Sequence, residues 1–211
     1  MAEPLAFYTN PMSRGRIARW ILEETGVEYD THYLSYGDTM KSAAYLAINP
    51  MGKVPTIRHN GKTVTECAAI CAYLADAFPE AKLAPATDDR ADYYRWLFFA
   101  AGPLESATTN KAMGWAPSDE QKAMAGYGSF ELAYDTLLGA LLGKTYVCGD
   151  SFTAADVYVG SQVAWGLQFG TLPEHAVLTE YRDRVTARSA YIRASELDDA
   201  AMETHGPTPP G

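Results

Sequence analysis

The first 80 residues alternate short apolar runs with segments whose apolar positions recur at helical spacing. Residues 5–8 form an apolar run typical of a buried strand, whereas Ile17, Trp20 and Ile21 follow the spacing of a helix that ends at Gly26. The first predicted elements are a strand at 5–8 and a helix that follows an Asn10 cap, with Pro11 in its first turn. A strand at 29–34 and a weak helix or loop at 36–48 follow. The last predicted elements are strands at 56–58 and 63–64 and a helix from Glu66 that ends before Pro79. This order, βαβαββα, fits one small domain.

The second half of the chain carries helical patterns only. The predicted helices cover residues 88–106, 118–142, 153–169 and 177–187. Gly102-Pro103 interrupts the first of them, because proline bends or breaks a helix. Thr153 and Asp156 form a start for the third helix that is similar to a capping box.

These patterns predict an α/β N-terminal domain followed by an all-α C-terminal domain. We expect the first domain at residues 1–80, a linker at 81–89, an all-helical domain at 90–202 and a flexible tail at 203–211.

Charge and composition exclude several classes of partner. The chain has 211 residues and a formal net charge of −9, which argues against nucleic acid and against an anionic membrane surface. No apolar run approaches the roughly 20 residues of a membrane span, and residues 1–4 do not resemble a signal peptide. We therefore expect a cytoplasmic protein whose three cysteines are free thiols. The four histidines show no metal-binding spacing, so no metal is expected.

Residues 49–57 (NPMGKVPTI) predict a loop that leads into a short strand. Pro55 cannot donate to a sheet, and an X-Pro bond in such a turn tolerates a cis peptide. Val54 would then offer its backbone N–H and C=O to a ligand, while the N-terminus of the helix from Glu66 favours a carboxylate. The sequence therefore predicts a site for a small peptide-like anion.

This stretch resembles the glutathione-binding half of the glutathione transferases, whose thioredoxin-like domain carries an Asn-Pro-x-Gly-x-Val-Pro loop and a Glu-Ser pair. The loop is present at residues 49–55, but the pair reads Glu66-Cys67. Residues 149–156 (GDSFTAAD) resemble the buried capping motif of that family's helical domain. The resemblance covers nearly the whole chain. It implies a detoxifying homodimeric transferase that uses glutathione as co-substrate and conjugates the thiolate to small hydrophobic electrophiles.

The resemblance also implies a thiol-activating donor in the turn after the first strand. Residues 10–16 (NPMSRGR) resemble the turn of serine-type members, which implies Ser13 as the catalytic donor. Tyr8, Asn10 and Thr9 stay open as alternatives, because other members of the family use tyrosine, asparagine or threonine in this region.

Further site residues follow from the same resemblance. Glu66 would hold the γ-glutamyl ammonium, and Cys67 the adjacent carboxylate, although a thiol is a poorer donor than a hydroxyl. The glutathione-binding candidates are Lys53, Val54, Pro55, Glu66, Cys67 and Lys41. We expect the second substrate between the two domains, and the electrophile-pocket candidates are Asn10, Met12, Tyr94, Phe98, Pro103, Asn110 and Trp115.

Two other functions are compatible with the same fold. A glutathione-dependent disulfide reductase or peroxidase would use the same site, and a non-catalytic binding protein would keep the fold without the chemistry. Cys67 and Cys71 lie four residues apart on one predicted helix. We interpret them as small buried residues rather than as a redox pair, since helical geometry strains such a disulfide.

Overall fold

The computed structural model describes residues 4–206 as two compact units, residues 4–81 with residues 188–206, and residues 82–187. The elements in chain order are β1 (Leu5–Thr9), α1 (Gly15–Thr25), β2 (Tyr29–Tyr33), α2 (Ala43–Leu46), β3 (Thr56–His59), β4 (Lys62–Thr65), α3 (Cys67–Ala77), α4 (Ala91–Phe99), α5 (Glu105–Ala112), α6 (Phe130–Leu141), α7 (Ala154–Gln168), α8 (Ala176–Thr186) and α9 (Ser189–His205). Residues 207–211 of the expected tail lie outside the described residues.

The first unit is built on a four-stranded sheet in the order β2-β1-β3-β4. β1 runs parallel to β2 and antiparallel to β3, and β3 and β4 form a hairpin. Phe7 of β1 and Ile57 of β3 are fully buried, as are Trp20 and Ile21 of α1 and Ile70 of α3. The predicted order βαβαββα is therefore confirmed.

Helix α9 belongs to this unit and packs against α1 through ion pairs. Arg19 Nε donates to Asp198 Oδ1 at 2.8 Å, and the two side chains are 2% and 0% exposed. Arg188 donates to both carboxylate oxygens of Glu24 at 2.6 and 2.7 Å. The sequence analysis assigned no helix here, because the partners of α9 lie 179 and 164 residues away along the chain.

The first predicted helix of the second unit is interrupted as expected, but by a change of helix type rather than by a break. Ala100–Leu104 forms a π-helical turn that contains Pro103, with α4 before it and α5 after it. A π turn adds one residue to the helical repeat and commonly marks an irregularity of this kind.

The second predicted helix begins twelve residues later than expected, at Phe130 rather than at Ser118. Gly128 has φ +68°, a conformation that ends a helical path, and Ser129 then caps α6 by accepting from the Leu132 N–H at 3.1 Å. The prediction was therefore wrong over residues 118–129, where local turn chemistry outweighs helical spacing.

The predicted capping box at the start of α7 is confirmed. Asp156 Oδ2 accepts from the backbone N–H and the hydroxyl of Thr153 at 2.9 and 3.1 Å. Asp156 Oδ1 accepts from the Val147 N–H and the Tyr181 hydroxyl, both at 2.8 Å. Burial raises the pKa of the Asp156 carboxyl even though these donors favour its charged form. Asp156 therefore joins α7 to α8 and to the segment before α7.

Among residues 4–206, none of the helices combines the length and the apolar character needed to cross a lipid bilayer.

Candidate active site

The turn between β1 and α1 is longer than the sequence predicted, since α1 begins at Gly15 rather than at Pro11. The buried Asn10 holds this turn. Its Oδ1 accepts from the Met12 N–H at 2.9 Å, and its Nδ2 donates to the Leu34 carbonyl at 2.8 Å. Both ends of the amide therefore make hydrogen bonds within the protein, and they tie the turn to the segment after β2.

Ser13 lies near the end of this turn, and its hydroxyl makes two local hydrogen bonds. Oγ donates to the Asn10 carbonyl at 2.7 Å and accepts from the Gly15 N–H at 2.9 Å. The side chain is partly exposed. A bound anion could replace the Asn10 carbonyl as the acceptor of the hydrogen bond from the Ser13 hydroxyl. The Gly15 N–H would still donate to Oγ and would polarise the hydroxyl.

Thr9 lies beneath the turn with no solvent exposure. Among residues 4–206, its Oγ1 has no hydrogen-bond partner. A Cβ atom built on Gly15 would lie 1.9 Å from Thr9 Oγ1 and 2.9 Å from Ser13 Oγ. The end of β1 and the start of α1 therefore approach each other as closely as only glycine permits.

The structure adds Tyr36, which the sequence analysis did not consider. Its hydroxyl donates to the Met12 carbonyl at 3.2 Å and lies within hydrogen-bonding reach of Ser13. Burial raises the pKa of the Tyr36 phenol, and the opposing effects of Ser13 and Arg14 do not cancel this rise, so Tyr36 stays a donor at neutral pH. No sequence signal marks Tyr36, because it lies 24 residues from Met12 and only the fold brings it to the turn.

Tyr8 packs between two rings of the same unit. It stacks on His32 with ring centroids 4.7 Å apart and meets Tyr45 at 5.6 Å. These contacts give the Tyr8 ring a packing role in the sheet.

Polar side chains hold the loop that precedes β3. The peptide bond between Val54 and Pro55 is cis. The Lys53 carbonyl accepts from the Tyr45 hydroxyl at 2.5 Å and from Asn49 Nδ2 at 2.9 Å. The Lys53 side chain itself is exposed. The chain on either side of the cis bond is therefore anchored from within the first unit.

Lys41 is bound to this loop rather than left in solvent. Its ammonium donates to the carbonyls of Met51 and Gly52 at 3.1 and 2.9 Å. Gly52 has φ +56°, and a Cβ atom there would lie 2.8 Å from Lys41 Nζ. The loop therefore requires glycine at this position.

Two features of this region suit a peptide-like ligand. Within residues 4–206, neither the N–H nor the C=O of Val54 makes a hydrogen bond. Thr56 pairs with Thr65 in the β3–β4 hairpin, so Val54 and Glu66 flank the same end of it. The exposed Glu66 adopts φ +63° and ψ 120° as the N-cap of α3. Such a conformation costs on the order of 1–3 kcal/mol in a non-glycine residue and is concentrated at ligand sites.

Cys67 contributes its backbone rather than its thiol to this end of α3. The thiol donates to the Arg14 carbonyl with an S–O distance of 3.5 Å. The first backbone N–H groups of an α-helix have no acceptor within the helix, and the helix dipole favours an anion at this end. All three cysteines are free thiols. Burial, with a smaller contribution from Cys67, raises the pKa of Cys71 well above its ordinary value, which disfavours thiolate chemistry there.

The electrophile-pocket candidates occupy different environments. Met12 is half-exposed at the β1–α1 turn of the first unit. In the second unit, Tyr94 and Phe98 lie one turn apart on α4 and are 42% and 71% exposed. Pro103 belongs to the π-helical turn.

Asn10 lies in the β1–α1 turn described above, Trp115 lines a cavity within the second unit, and Asn110 binds a residue of the wall of that cavity. Trp115 is half-exposed and lines a cavity of about 400 Å³ between the end of α5 and the start of α6. Asn110 Nδ2 donates to the Tyr127 hydroxyl at 3.0 Å, and Tyr127 forms part of the same cavity wall. In the described part of the chain, no group of three or more His, Cys, Asp or Glu side chains has the geometry of a metal site.

Comparison with known proteins finds similarity to glutathione S-transferases. The N-terminal domain model of the glutathione S-transferase family matches residues 12–77, which contain Ser13, the loop at residues 49–55 and Glu66. Glutathione S-transferase hmp2 of Hypomyces subiculosus is 27% identical over 208 residues, which cover 90% of this chain and 97% of that protein. Glutathione S-transferase GST-4.5 of Xanthomonas campestris pv. campestris is 30% identical over 141 residues, which cover 63% of this chain and 68% of that protein.

A solved structure extends the similarity to the whole fold. The glutathione S-transferase of a sphingomonad, determined in complex with glutathione, superposes with a TM-score of 0.74 at 27% identity. The superposition covers 92% of this chain and 98% of that one.

Proposed function

Because the chain belongs to the glutathione S-transferase family, with a thioredoxin-like domain followed by helices, we propose that it conjugates glutathione to small hydrophobic electrophiles. Glutathione is the co-substrate of this enzyme. The observation that carries the proposal is the open backbone N–H and C=O of Val54 beside the positive-φ residue Glu66. We place the enzyme in the cytoplasm, in keeping with its three free thiols.

The peptide part of glutathione is bound by backbone groups in this proposal. Val54 receives the cysteinyl residue of glutathione in two antiparallel hydrogen bonds, as an added strand would be received. The exposed Glu66 carboxylate pairs with the γ-glutamyl ammonium. The first N–H groups of α3, that of Cys67 among them, bind the adjacent carboxylate with the help of the helix dipole. Lys53 and the bound Lys41 supply positive charge near the glycine carboxylate.

Ser13 activates the thiol. The free thiol has a pKa well above neutral, and a hydroxyl that donates to sulfur favours the thiolate. The Ser13 hydroxyl keeps its proton and exchanges its hydrogen bond to the Asn10 carbonyl for one to the sulfur, while the Gly15 N–H still donates to Oγ. The thiol proton leaves to solvent, and a sulfur lone pair then forms the C–S bond at the electrophilic carbon. In a substitution the leaving group departs with its bonding electron pair; in an addition the π pair moves to the neighbouring atom, which takes a proton from solvent. Tyr36 is the second donor that the turn offers.

The thiolate absorbance of bound glutathione, titrated over pH, tests this assignment. In wild type the bound thiol should ionise below its free pKa. Ser13→Ala should raise the pKa of the bound thiol by about one to two pH units, since a hydrogen bond to a charged group contributes roughly 1.5–3 kcal/mol. Tyr8→Phe should change little. Ser35→Ala is the control, because Ser35 is an exposed serine of the same unit.

The outcomes of this titration separate the alternatives. A large effect of Tyr36→Phe with none from Ser13→Ala would move the donor to Tyr36 and keep the site. Binding of glutathione without ionisation would contradict a transferase and favour a non-catalytic binding protein. Failure to bind glutathione would refute the site at Val54 and Glu66.

We also propose that the protein forms a homodimer whose interface buries the exposed side chains of Tyr94 and Phe98 on α4. Phe98→Glu should weaken the dimer roughly a hundredfold, because a buried aromatic side chain at an interface is commonly a major source of binding energy. Sedimentation velocity over a concentration series measures the change. Phe169→Glu is the matched control, since Phe169 is 69% exposed and Phe98 71%. A protein that sediments as a monomer, or equal effects of both changes, would contradict the proposal.

A further inference from the structure

We propose that the cavity between α5 and α6 binds a small planar aromatic carboxylate, with Lys111 as the group that recognises the carboxylate. The inference extends the proposed function by naming a ligand class for the pocket that contains Trp115. Only the role of the ligand as a substrate rests on the proposed function. Binding of the ligand to the cavity requires no glutathione.

The size and walls of the cavity suit one or two fused rings. Its volume is about 400 Å³, at the lower end of the range for small-molecule sites. Trp115, Tyr127 and Phe130 supply three aromatic walls, and Ala107 and Pro117 supply apolar surface between them. Aromatic side chains favour offset-stacked or edge-to-face contacts with planar ligands.

The deep side of the cavity is part of the core of the second unit. Ala107 and Tyr127 are buried in one apolar cluster with Ala133, and the partly buried Phe130 packs against it. The Tyr127 hydroxyl is held by Asn110 at 3.0 Å. The cavity walls are therefore positioned in advance, which reduces the entropy lost when a ligand binds.

Lys111 distinguishes an anionic ligand from a neutral one. Its Nζ lies 3.4 Å from the centroid of the Phe130 ring at the edge of the cavity. Within residues 4–206, no carboxylate lies within ion-pairing distance of Lys111. The Lys111 ammonium makes no short ion pair within this range, although the Glu131 carboxylate attracts it at longer range. A cation held over an aromatic face in this way favours a ligand that brings a negative charge close to it.

The other charged groups of the cavity are already engaged. Lys122 Nζ lies 2.6 Å from Asp119 Oδ1. The Glu131 carboxylate interacts first with its own backbone N–H and then with the Ser129 hydroxyl, and it attracts Lys111 and Lys122 at longer range. Of the two lysines that line the cavity, Lys111 therefore lacks the short ion pair that Lys122 makes, and a ligand carboxylate would compete with Glu131 for it.

Isothermal titration calorimetry with 2-naphthoate and its neutral analogue 2-naphthamide, in the absence of glutathione, tests the proposal. The wild-type chain should bind 2-naphthoate more tightly than 2-naphthamide. Added salt should reduce this difference in affinity, because it screens the attraction between charges. Lys111→Gln should weaken 2-naphthoate about three- to fivefold, as expected for a partly exposed ion pair, and leave 2-naphthamide unchanged. Lys111→Arg should keep the preference. Ala116→Trp, at an exposed position that lines the cavity, should abolish binding of both.

Lys62→Gln is the control, because it removes the same charge from an exposed position of β4. Equal effects of Lys62→Gln and Lys111→Gln would show that only net charge matters and would overturn the proposal. Absence of 2-naphthoate binding, or undiminished binding to Ala116→Trp, would also overturn it. Failure of the proposed thiolate chemistry would leave these binding results unaffected, so the two proposals can fail separately.

Discussion

Replacing Gly15 with alanine is expected to lower the free energy of unfolding by about 3 kcal/mol and to abolish glutathione binding. The added Cβ would lie 1.9 Å from Thr9 Oγ1 and 2.9 Å from Ser13 Oγ. Thr9 is fully buried on β1, and its Cβ would lie 3.1 Å from the added atom, so rotation of the Thr9 side chain alone leaves a tight contact. Chemical denaturation measures the stability, and calorimetry measures the affinity for glutathione.

The sign of this effect is diagnostic, because alanine normally stabilises a helix relative to glycine by up to about 1 kcal/mol. Gly139→Ala, at an exposed position of α6 with open space around it, is the matched control and should stabilise. Thr9→Ala should restore most of the stability when combined with Gly15→Ala, since it removes the clashing atom. A stable Gly15→Ala variant that still binds glutathione would disprove the close approach of β1 and α1.

The second large effect is expected at Arg19, whose replacement with methionine should cost about 3 to 5 kcal/mol. The guanidinium binds Asp198 at 2.8 Å, donates to the hydroxyls of Tyr29 and Tyr33, and lies 5.1 Å from the Phe7 ring centroid. Its removal leaves a buried carboxylate without its counter-ion. Thermal and chemical denaturation measure the loss.

The ion pair of Arg193 and Glu23, of which only the arginine is exposed, provides the control. Arg193→Met is the same substitution on α9 at a 68% exposed position, and it should cost less than about 1 kcal/mol. The double change Arg19→Met with Asp198→Leu should recover most of the loss, because well-packed apolar residues replace buried ion pairs at little cost. A small effect of Arg19→Met alone would show that α9 is not held by this pair.

The stability of the Arg19→Met variant should also depend on pH in a defined direction. In wild type, burial raises the pKa of Asp198 even though Arg19 and Arg16 lower it, while Asp199 raises it further. Loss of Arg19 removes a lowering influence, so the pKa of Asp198 rises again. A raised carboxyl pKa contributes stability at low pH that is lost as the pH rises through the folded-state value. The deficit of the variant should therefore shrink between pH 7 and pH 5, and a deficit independent of pH would contradict this account.

Features of this protein that depend on local chemistry can be predicted from neighbouring residues. The loop at residues 49–55 follows from its proline and glycine positions, and Gly52 has the positive φ that such a loop requires. The capping box of Thr153 and Asp156 follows from side chains that bind backbone groups three residues away. These two motifs indicate the family from the sequence because each lies within a short continuous segment of the chain.

Contacts between distant segments complete the candidate site. Asn10 is held by Leu34, Gly15 fits against Thr9, and Tyr36 reaches the turn from a separate loop. Helix α9 is held by partners more than a hundred residues away, and the late start of α6 at Phe130 opens the cavity beside Lys111. Each of these contacts joins segments that are distant along the chain, so no local pattern of hydrophobic and polar residues specifies it.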